Sequence, residues 1–369
     1  MLKSNFAHIY LNISQILVFE GIIKMKKEKY DLVDLLKLFA PGTSIRASLE
    51  DLMRARMGAL IVVNKGSLLS IVEGGFKVNS KFSQQKLVEL AKMDGAIILS
   101  EDMKRILYAN TLLSPDIYYY TKETGTRHKA AERTAKQMKT IVIAVSERKN
   151  KITLYRGNLR YELEESSEIL RRATETLQIL EKQKEILDDS LANLNLLEIS
   201  GFSTISAVCE VLQRFEMVRR VSEIVKRYLI ELGKEGIIVS MRLKELIKNL
   251  GKERELVLQD YFSLKSFEMD DALKSLNFDF LLEIANLSKT FFGEIHDKKI
   301  TLKGLRFLSR TNLSEQNFSL ILNNFNNLNG LLKADRETLL KILKDEEIVD
   351  SFEKDLCNLK KKIIEGKKI

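Results

Sequence analysis

Three short apolar runs dominate the first part of this chain: Gly58-Ala59-Leu60-Ile61-Val62-Val63, Gly95-Ala96-Ile97-Ile98-Leu99 and Ile141-Val142-Ile143-Ala144-Val145. Runs this short, with no polar alternation, are strands covered on both faces. Between them apolar residues recur at helical spacing, from about Ser83 to Met93 and from about His128 to Met138. An earlier helical pattern, Tyr30 to Phe39, is broken by Ala40-Pro41-Gly42-Thr43, after which Thr43 or Ser44 can cap a helix through Leu49, Leu52 and Met53. Ile152-Thr153-Leu154-Tyr155 follows the polar turn Glu147 to Lys151 and reads as the hairpin partner of the third run. Strands alternating with helices predict an α/β domain on a mixed, mostly covered central sheet, over residues 25–158.

Past Tyr161 the period changes. Ile169, Ala173, Leu177, Leu180, Leu187, Leu191 and Leu194 form one apolar stripe on a long helix, with Glu162, Glu164, Glu165, Lys182 and Lys184 around it. Helices continue through Ser203 to Leu232 and Met241 to Leu250, separated by Gly233 to Gly236. The chain's two prolines, Pro41 and Pro115, both lie upstream, so none interrupts these helices. An all-α middle domain is expected over 159–295. From Lys298 the pattern is of short helices broken at Gly304, Thr311 to Leu313, Asn326 to Gly330 and Asp345, a small α-helical domain over 298–369.

The net charge of +9 favours polyanionic partners such as nucleotides or nucleic acid, although a lysine-rich solvated surface gives the same sum. Cys209 and Cys357 have no His or Cys at metal-ligand spacing and read as reduced thiols of a cytoplasmic protein. No apolar run is long enough to span a membrane. Met25 opens a lysine-rich helix start, Lys26-Lys27-Glu28-Lys29, and the codons of Glu20-Gly21 can spell a ribosome-binding sequence just upstream. Translation is accordingly expected to start at Met25, with residues 1–24 an upstream extension. His8 and His296 carry no readable role.

Two segments carry chemistry. Asp94-Gly95-Ala96 places a carboxylate before the glycine that opens a buried strand, where a ligand can approach the backbone and a divalent cation can bridge nucleotide phosphates. Asp-Gly is also a plain turn dipeptide. In Glu123-Thr124-Gly125-Thr126-Arg127-His128-Lys129, Thr124 and Thr126 are potential caps at a helix start whose free N–H groups attract an anion. Arg127, His128 and Lys129 put positive charge on that first turn, where the helix dipole disfavours it, so a bound polyphosphate is the natural compensation. A solvated charged turn is the alternative.

In order, Met93-Asp94-Gly95-Ala96, Gly125 to His128 and Ala131-Glu132-Arg133 resemble the signature of the diadenylate cyclases. Ala40-Pro41-Gly42-Thr43, Gly58 to Val62, Gly74-Gly75-Phe76, Ser100-Glu101-Asp102 and Ala144-Val145-Ser146-Glu147-Arg148 agree, and the likeness covers residues 25 to 160 densely. Two helical regions following such a domain are similar to the DNA-integrity-scanning branch of that family. The resemblance implies a cytoplasmic enzyme that condenses two ATP into cyclic di-AMP and two pyrophosphates. It implies Mg²⁺ or Mn²⁺ as cofactor, Asp94 as its ligand and organiser of the 3′-hydroxyl, and Arg127, His128 and Lys129 as catalytic groups. Gly95, Ala96, Leu113, Gly125, Thr126, Arg127, His128, Lys129, Ala130 and Ser146 are then the ATP-binding positions. It also implies a homo-octamer built by the middle domain, and a C-terminal helix-hairpin-helix domain that lets DNA modulate the activity.

The chain departs from that pattern in three places. The usual Arg-His-Arg triplet is Arg127-His128-Lys129, which keeps the charge but loses one planar fork. Tyr118-Tyr119-Tyr120 stand where proline-rich loop sequence is usual, to stack on adenine or to pack. The expected hairpin, Lys344-Asp345-Glu346-Glu347-Ile348, has no glycine and three acids, which weakens the expectation of DNA binding. The basic tail, Lys360-Lys361-Lys362 and Lys367-Lys368, reads as solvated or as a non-specific contact. The competing readings are a catalytically silent nucleotide sensor and a DNA-binding structural protein with a regulatory nucleotide site. Retention of Asp94 argues against the first, the degenerate hairpin against the second.

Overall fold

The computed structural model describes residues 32–293 and 297–366. The extension at 1–24, the start at Met25, His8, His296 and the last lysines of the tail lie outside them. Of the described residues, those up to Ala173 together with Arg227–Ile238 form one compact unit, and Thr174–Lys226 with the residues from Val239 onward form a second.

The first unit is a mixed eight-stranded sheet with helices on both faces. Helix α1 covers 32–38 and α2 Ser44–Arg54; then come β1 (Ala59–Val63), β2 (Val72–Glu73), β3 (Phe76–Lys81), α3 (Gln84–Ala91), β4 (Ala96–Leu99) and β5 (Arg105–Leu113). Helix α4 (Thr126–Met138) precedes the meander β6 (Ile141–Ser146), β7 (Lys151–Arg156) and β8 (Leu159–Leu163). The order is β2-β5-β4-β1-β6-β7-β8, with β3 also on the outer edge of β5. Among the described strands only β1 and β4 run parallel, Leu60 beside Ala96; on its other side β1 meets β6 antiparallel, Ala59 opposite Val145.

The three apolar runs are β1, β4 and β6, and each is buried along its covered length because it feeds two cores. Ala59, Ile61, Ile97, Leu99, Ile143 and Val145 pack against Leu35, Leu49, Leu52 and Leu87 of α1, α2 and α3, and against Phe39 just past α1. Their alternates Leu60, Val62, Ala96, Ile98, Val142 and Ala144 pack against Ala131 and Ala135 of α4. A full alternation of this kind, at about 1.5–3 kcal/mol per buried aliphatic side chain, fixes the register, since a one-residue slip would exchange the two cores. Ala131, Thr134 and Ala135 form the inner face of α4, and small side chains let its axis lie close to the sheet.

Ser83 and Thr43 cap α3 and α2 by accepting the Lys86 and Arg46 N–H groups. Strands β3 and β5 were not read from the sequence, and β8 extends the sheet beyond residue 158.

The rest of the described chain is helical and belongs to the second unit, apart from 166–173 and 227–238, which belong to the first. The apolar stripe lies on α5 (Ser166–Ser200), buried at every position except the half-buried Leu191. Helix α6 (Ile205–Leu232) runs into a 3₁₀ turn at Gly233–Gly236. Next are α7 (Ile237–Leu246), α8 (Leu250–Phe262), α9 (Ser266–Ser275), α10 (Phe278–Leu282) and α11 (Ile284–Phe292). The helix expected from Met241 to Leu250 stops instead at Leu246, and a turn ending in Asn249, whose φ is +60°, leads into the next. The C-terminal helices are α12 (Leu305–Leu308), α13 (Glu315–Asn324), α14 (Leu328–Leu332), α15 (Arg336–Leu343) and α16 (Glu346–Ile364). They share one core, which includes Phe307, Ile321, Leu339 and Phe352. Gly330 lies inside α14 and does not break it; Asn327 caps that helix instead. No helix among the described residues is long and apolar enough to cross a membrane.

Candidate active site

A cleft of about 640 Å³ opens on the α4 side of the sheet. Leu60 of β1, Gly95 and Ala96 at the start of β4, Thr111 to Leu113 of β5 and Ser146 at the end of β6 line one side. Gly125, Thr126, Arg127, His128 and Ala130 of α4 line another, and Glu147 and Arg148 complete the rim. The volume suits a nucleotide-sized ligand.

Gly95 is forced at its position. Its φ is +97°, and a Cβ there would stand 2.8 Å from the Thr111 carbonyl oxygen. Thr111 is buried and its hydroxyl donates to the Ala96 carbonyl (2.9 Å), which stitches β5 to the floor of the cleft.

The start of α4 is built to leave its N–H groups open. Its N-cap is Gly125, with φ −80° and ψ 143°, and no side chain caps the helix. Thr124 and Thr126, expected as caps, do not act as such. The contrast with the Ser83 and Thr43 caps is physical: an uncapped N-terminus keeps donors and the positive end of the dipole available to an anion.

Arg127 and Arg148 in the cleft, and Lys129 beside it, have no carboxylate partner among the described residues. A larger cavity of about 850 Å³ in the same unit is lined by Arg46, Arg54 and Arg172 among others. There the cations are matched: Arg46 pairs with Glu50 at 2.7 Å, Arg54 with Asp51 at 2.6 Å and Arg172 with Glu164 at 2.9 Å. The smaller cleft is therefore the one with charge left for a ligand.

His128 enters as a neutral ring. Burial holds its pKa below the ordinary range, as do the charges of Arg127, Lys149 and Arg160; Glu123 acts in the opposite direction but does not win. Glu123 itself accepts hydrogen bonds from Arg160 Nε (2.6 Å) and the Tyr155 hydroxyl (2.8 Å). Burial opposes its charge, but those two donors outweigh burial and keep the carboxyl below its usual range.

The cleft thus gathers Gly95, Ala96, Leu113, Gly125, Thr126, Arg127, His128, Ala130 and Ser146 from the expected set. Asp94 and Lys129 do not line it. Asp94 is exposed one residue before Gly95, with no hydrogen bond or ion pair among the described residues. Lys129 is exposed on the first turn of α4. Sequence reasoning missed Thr111 and Leu112 as lining residues; Leu60, Glu147 and Arg148 stood within quoted motifs without a role.

Tyr118 and Tyr120 are 90% and 71% exposed, so packing within the unit is not their role. Their loop is tied to α4 through its backbone: Arg133 Nε donates to the Tyr119 carbonyl and Lys136 Nζ to that of Tyr120.

Residues 46–159 match the family described as DisA bacterial checkpoint controller nucleotide-binding, and residues 163–292 match its DisA bacterial checkpoint controller linker region. A protein of Clostridioides difficile named DNA integrity scanning protein DisA is 43% identical over 312 residues, covering 82% of this chain and 88% of that protein. Its namesake in Acetivibrio thermocellus is 41% identical over 323 residues, covering 85% and 90%. Among solved structures, that of DacA from Staphylococcus aureus has 26% sequence identity and a TM-score of 0.28, covering 37% of this chain and 88% of its own.

Proposed function

Because the chain belongs to the DisA family of diadenylate cyclases, we propose that this cleft binds one ATP and that two clefts, facing each other across a two-fold axis, perform the reaction. Each ATP offers its 3′-hydroxyl to the α-phosphate of the other; two phosphodiester bonds form, two bonds to pyrophosphate break, and cyclic di-AMP leaves with two pyrophosphates. The observation that carries the reading is the uncapped start of α4 beside the Arg127 guanidinium, which has no carboxylate partner among the described residues. The N–H groups of that first turn and Arg127 bind the polyphosphate and stabilise the charge that develops on the leaving group. His128, neutral, donates or accepts a hydrogen bond rather than adding a third cation. Lys129 acts at longer range, through its charge.

Asp94 is the residue that would hold the divalent ion. Among the described residues no group of three His, Cys, Asp or Glu side chains could bind a metal without help. A free carboxylate beside the glycine that floors the cleft suits Mg²⁺ or Mn²⁺ bound jointly with nucleotide phosphates, which neutralises phosphate charge when the ion is present. Purified protein with ATP and either ion should yield cyclic di-AMP, resolved by mass. ATP binding with no product under either metal would replace this reading by the silent sensor. The reaction as proposed needs at least two copies, and assembly as an octamer would meet that need; light scattering measures it.

The α15–α16 hairpin is the candidate helix-hairpin-helix element, and its details argue for weakened control by DNA. Lys344 takes the left-handed conformation there, with φ +57°. The Asp345 carboxylate accepts the N–H groups of Glu347 (2.9 Å) and Ile348 (3.2 Å), so donors a phosphate would use are already occupied. Arg336 nearby is held by Asp350 (2.5 Å) and Glu353 (3.0 Å). Branched DNA at physiological salt is expected to change the cyclase rate by less than about twofold. Tenfold suppression at that salt would overturn the reading.

A further inference from the structure

We propose that Gly58 is a positioning residue for Arg127, the seat on which its guanidinium is held at the cleft. Gly58 immediately precedes β1, and a Cβ built on it would lie 2.0 Å from Arg127 Nη1, 2.8 Å from Cζ and 3.1 Å from Nη2. The guanidinium therefore lies directly against the bare Cα.

Gly58 is not there for its backbone freedom, because its φ lies outside the left-handed region that favours glycine. The atoms nearest its missing side chain belong to Arg127 alone. What the residue contributes is space, and Arg127 takes it.

The opposite side of the seat is the neighbouring strand. Ala59 pairs with Val145 across the β1/β6 ladder, and Nη1 donates to the Val145 carbonyl at 3.5 Å, a long and weak contact. A guanidinium carries five N–H donors. No carboxylate holds this one among the described residues, so shape fixes it while most of its donors stay uncommitted. A planar fork fixed in that way is ready for paired hydrogen bonds to a phosphate, without first being pulled from a protein partner.

The inference rests on the ATP assignment of the preceding subsection, and it gives that site a residue that touches no substrate. The atoms nearest a methyl group at position 58 are those of the Arg127 guanidinium, so Gly58→Ala displaces that group and leaves every cleft-lining residue chemically intact. Arg127→Lys removes the fork and with it the clash.

The test is a double-mutant cycle of Gly58→Ala, Arg127→Lys and both together. It reads kcat and KM for ATP, melting temperature, and equilibrium binding of 3′-deoxy-ATP, which lacks the nucleophile. Gly58→Ala alone should lower kcat/KM on the order of 10- to 100-fold, as expected of a charged group displaced by about an ångström. In the Arg127→Lys background the same change should cost less than about twofold, because the group it displaces is gone. An effect of Gly58→Ala below twofold in the wild type, or an equal loss in both backgrounds, overturns the proposal. If Gly58→Ala lowers the melting temperature, recovery in the double variant supports the seat and persistence of the loss counts against it. Should the wild type make no cyclic dinucleotide, the ATP-condensation reading fails on its own. The cycle read in 3′-deoxy-ATP affinity still decides the role of Gly58.

Discussion

Asp94→Asn is expected to lower cyclic di-AMP formation by at least about 100-fold while the protein keeps its melting temperature and still binds ATP. The substitution changes one oxygen for an amide nitrogen at nearly constant shape. Asp94 is exposed and has no hydrogen bond or ion pair among the described residues, so nothing in the fold depends on its charge. Surface substitutions of that kind change stability by no more than about 0.5 kcal/mol. The carboxylate matters only if a cation and the phosphates share it, and losing that charge removes several kcal/mol of stabilisation of the reacting centre. Affinity for ATP should fall far less than turnover, because Arg127 and the open end of α4 are untouched. Steady-state rates and ATP affinity, each measured with Mg²⁺ and with Mn²⁺, separate the two. A variant retaining more than a tenth of wild-type kcat would show that Asp94 is not the metal ligand.

How much of this was legible in the sequence follows from burial. β1, β4 and β6 could be read because both faces of each are covered, so their composition is apolar throughout except at Ser146, where β6 reaches the cleft. β3 is only partly covered and irregular, and its alternation is drowned by polar residues. β5 carries a clearer alternation, but register shifts against β4 and Asn110 at φ +53° interrupt its period of two. The helix expected to run to Leu250 stops at Leu246, and the turn that follows, with Asn249 in the left-handed region at the start of the next helix, carries none of the glycine or proline that sequence reading relies on.

The site divides in the same way. Gly95 and the turn from Gly125 to His128 were readable as local chemistry, and the structure brings them to one cleft. Lys129 falls away from it because consecutive helical residues are about 100° apart: with Arg127 and Ala130 turned to the cleft and Ala131 to the sheet, Lys129 is left on the exposed side. Gly58 and Thr111 act through neighbours far away in sequence, so although Gly58 stood within a quoted motif, no local pattern revealed what either residue does.

The largest expected loss of stability lies elsewhere, at Arg306. Its side chain is 2% exposed and pairs with Glu198 at 2.6 Å. The other Glu198 oxygen accepts the Tyr261 hydroxyl at 2.7 Å. Asp260 caps the start of α12 beside them, accepting the N–H groups of Gly304, Leu305 and Arg306 at 2.8, 2.6 and 2.9 Å. Arg306→Ala removes the cation and leaves the Glu198 carboxylate buried with one neutral donor. An uncompensated buried charge of that kind costs about 3–5 kcal/mol, whereas replacing both members by apolar residues of similar volume is close to neutral. Arg306→Ala should therefore lower the urea midpoint of the helical signal strongly. Arg306→Met with Glu198→Met should recover most of the loss, because it removes the stranded charge along with its partner. That contrast separates an electrostatic origin from a packing one: if the double variant is as unstable as Arg306→Ala, the volume of the arginine stem matters more than its charge.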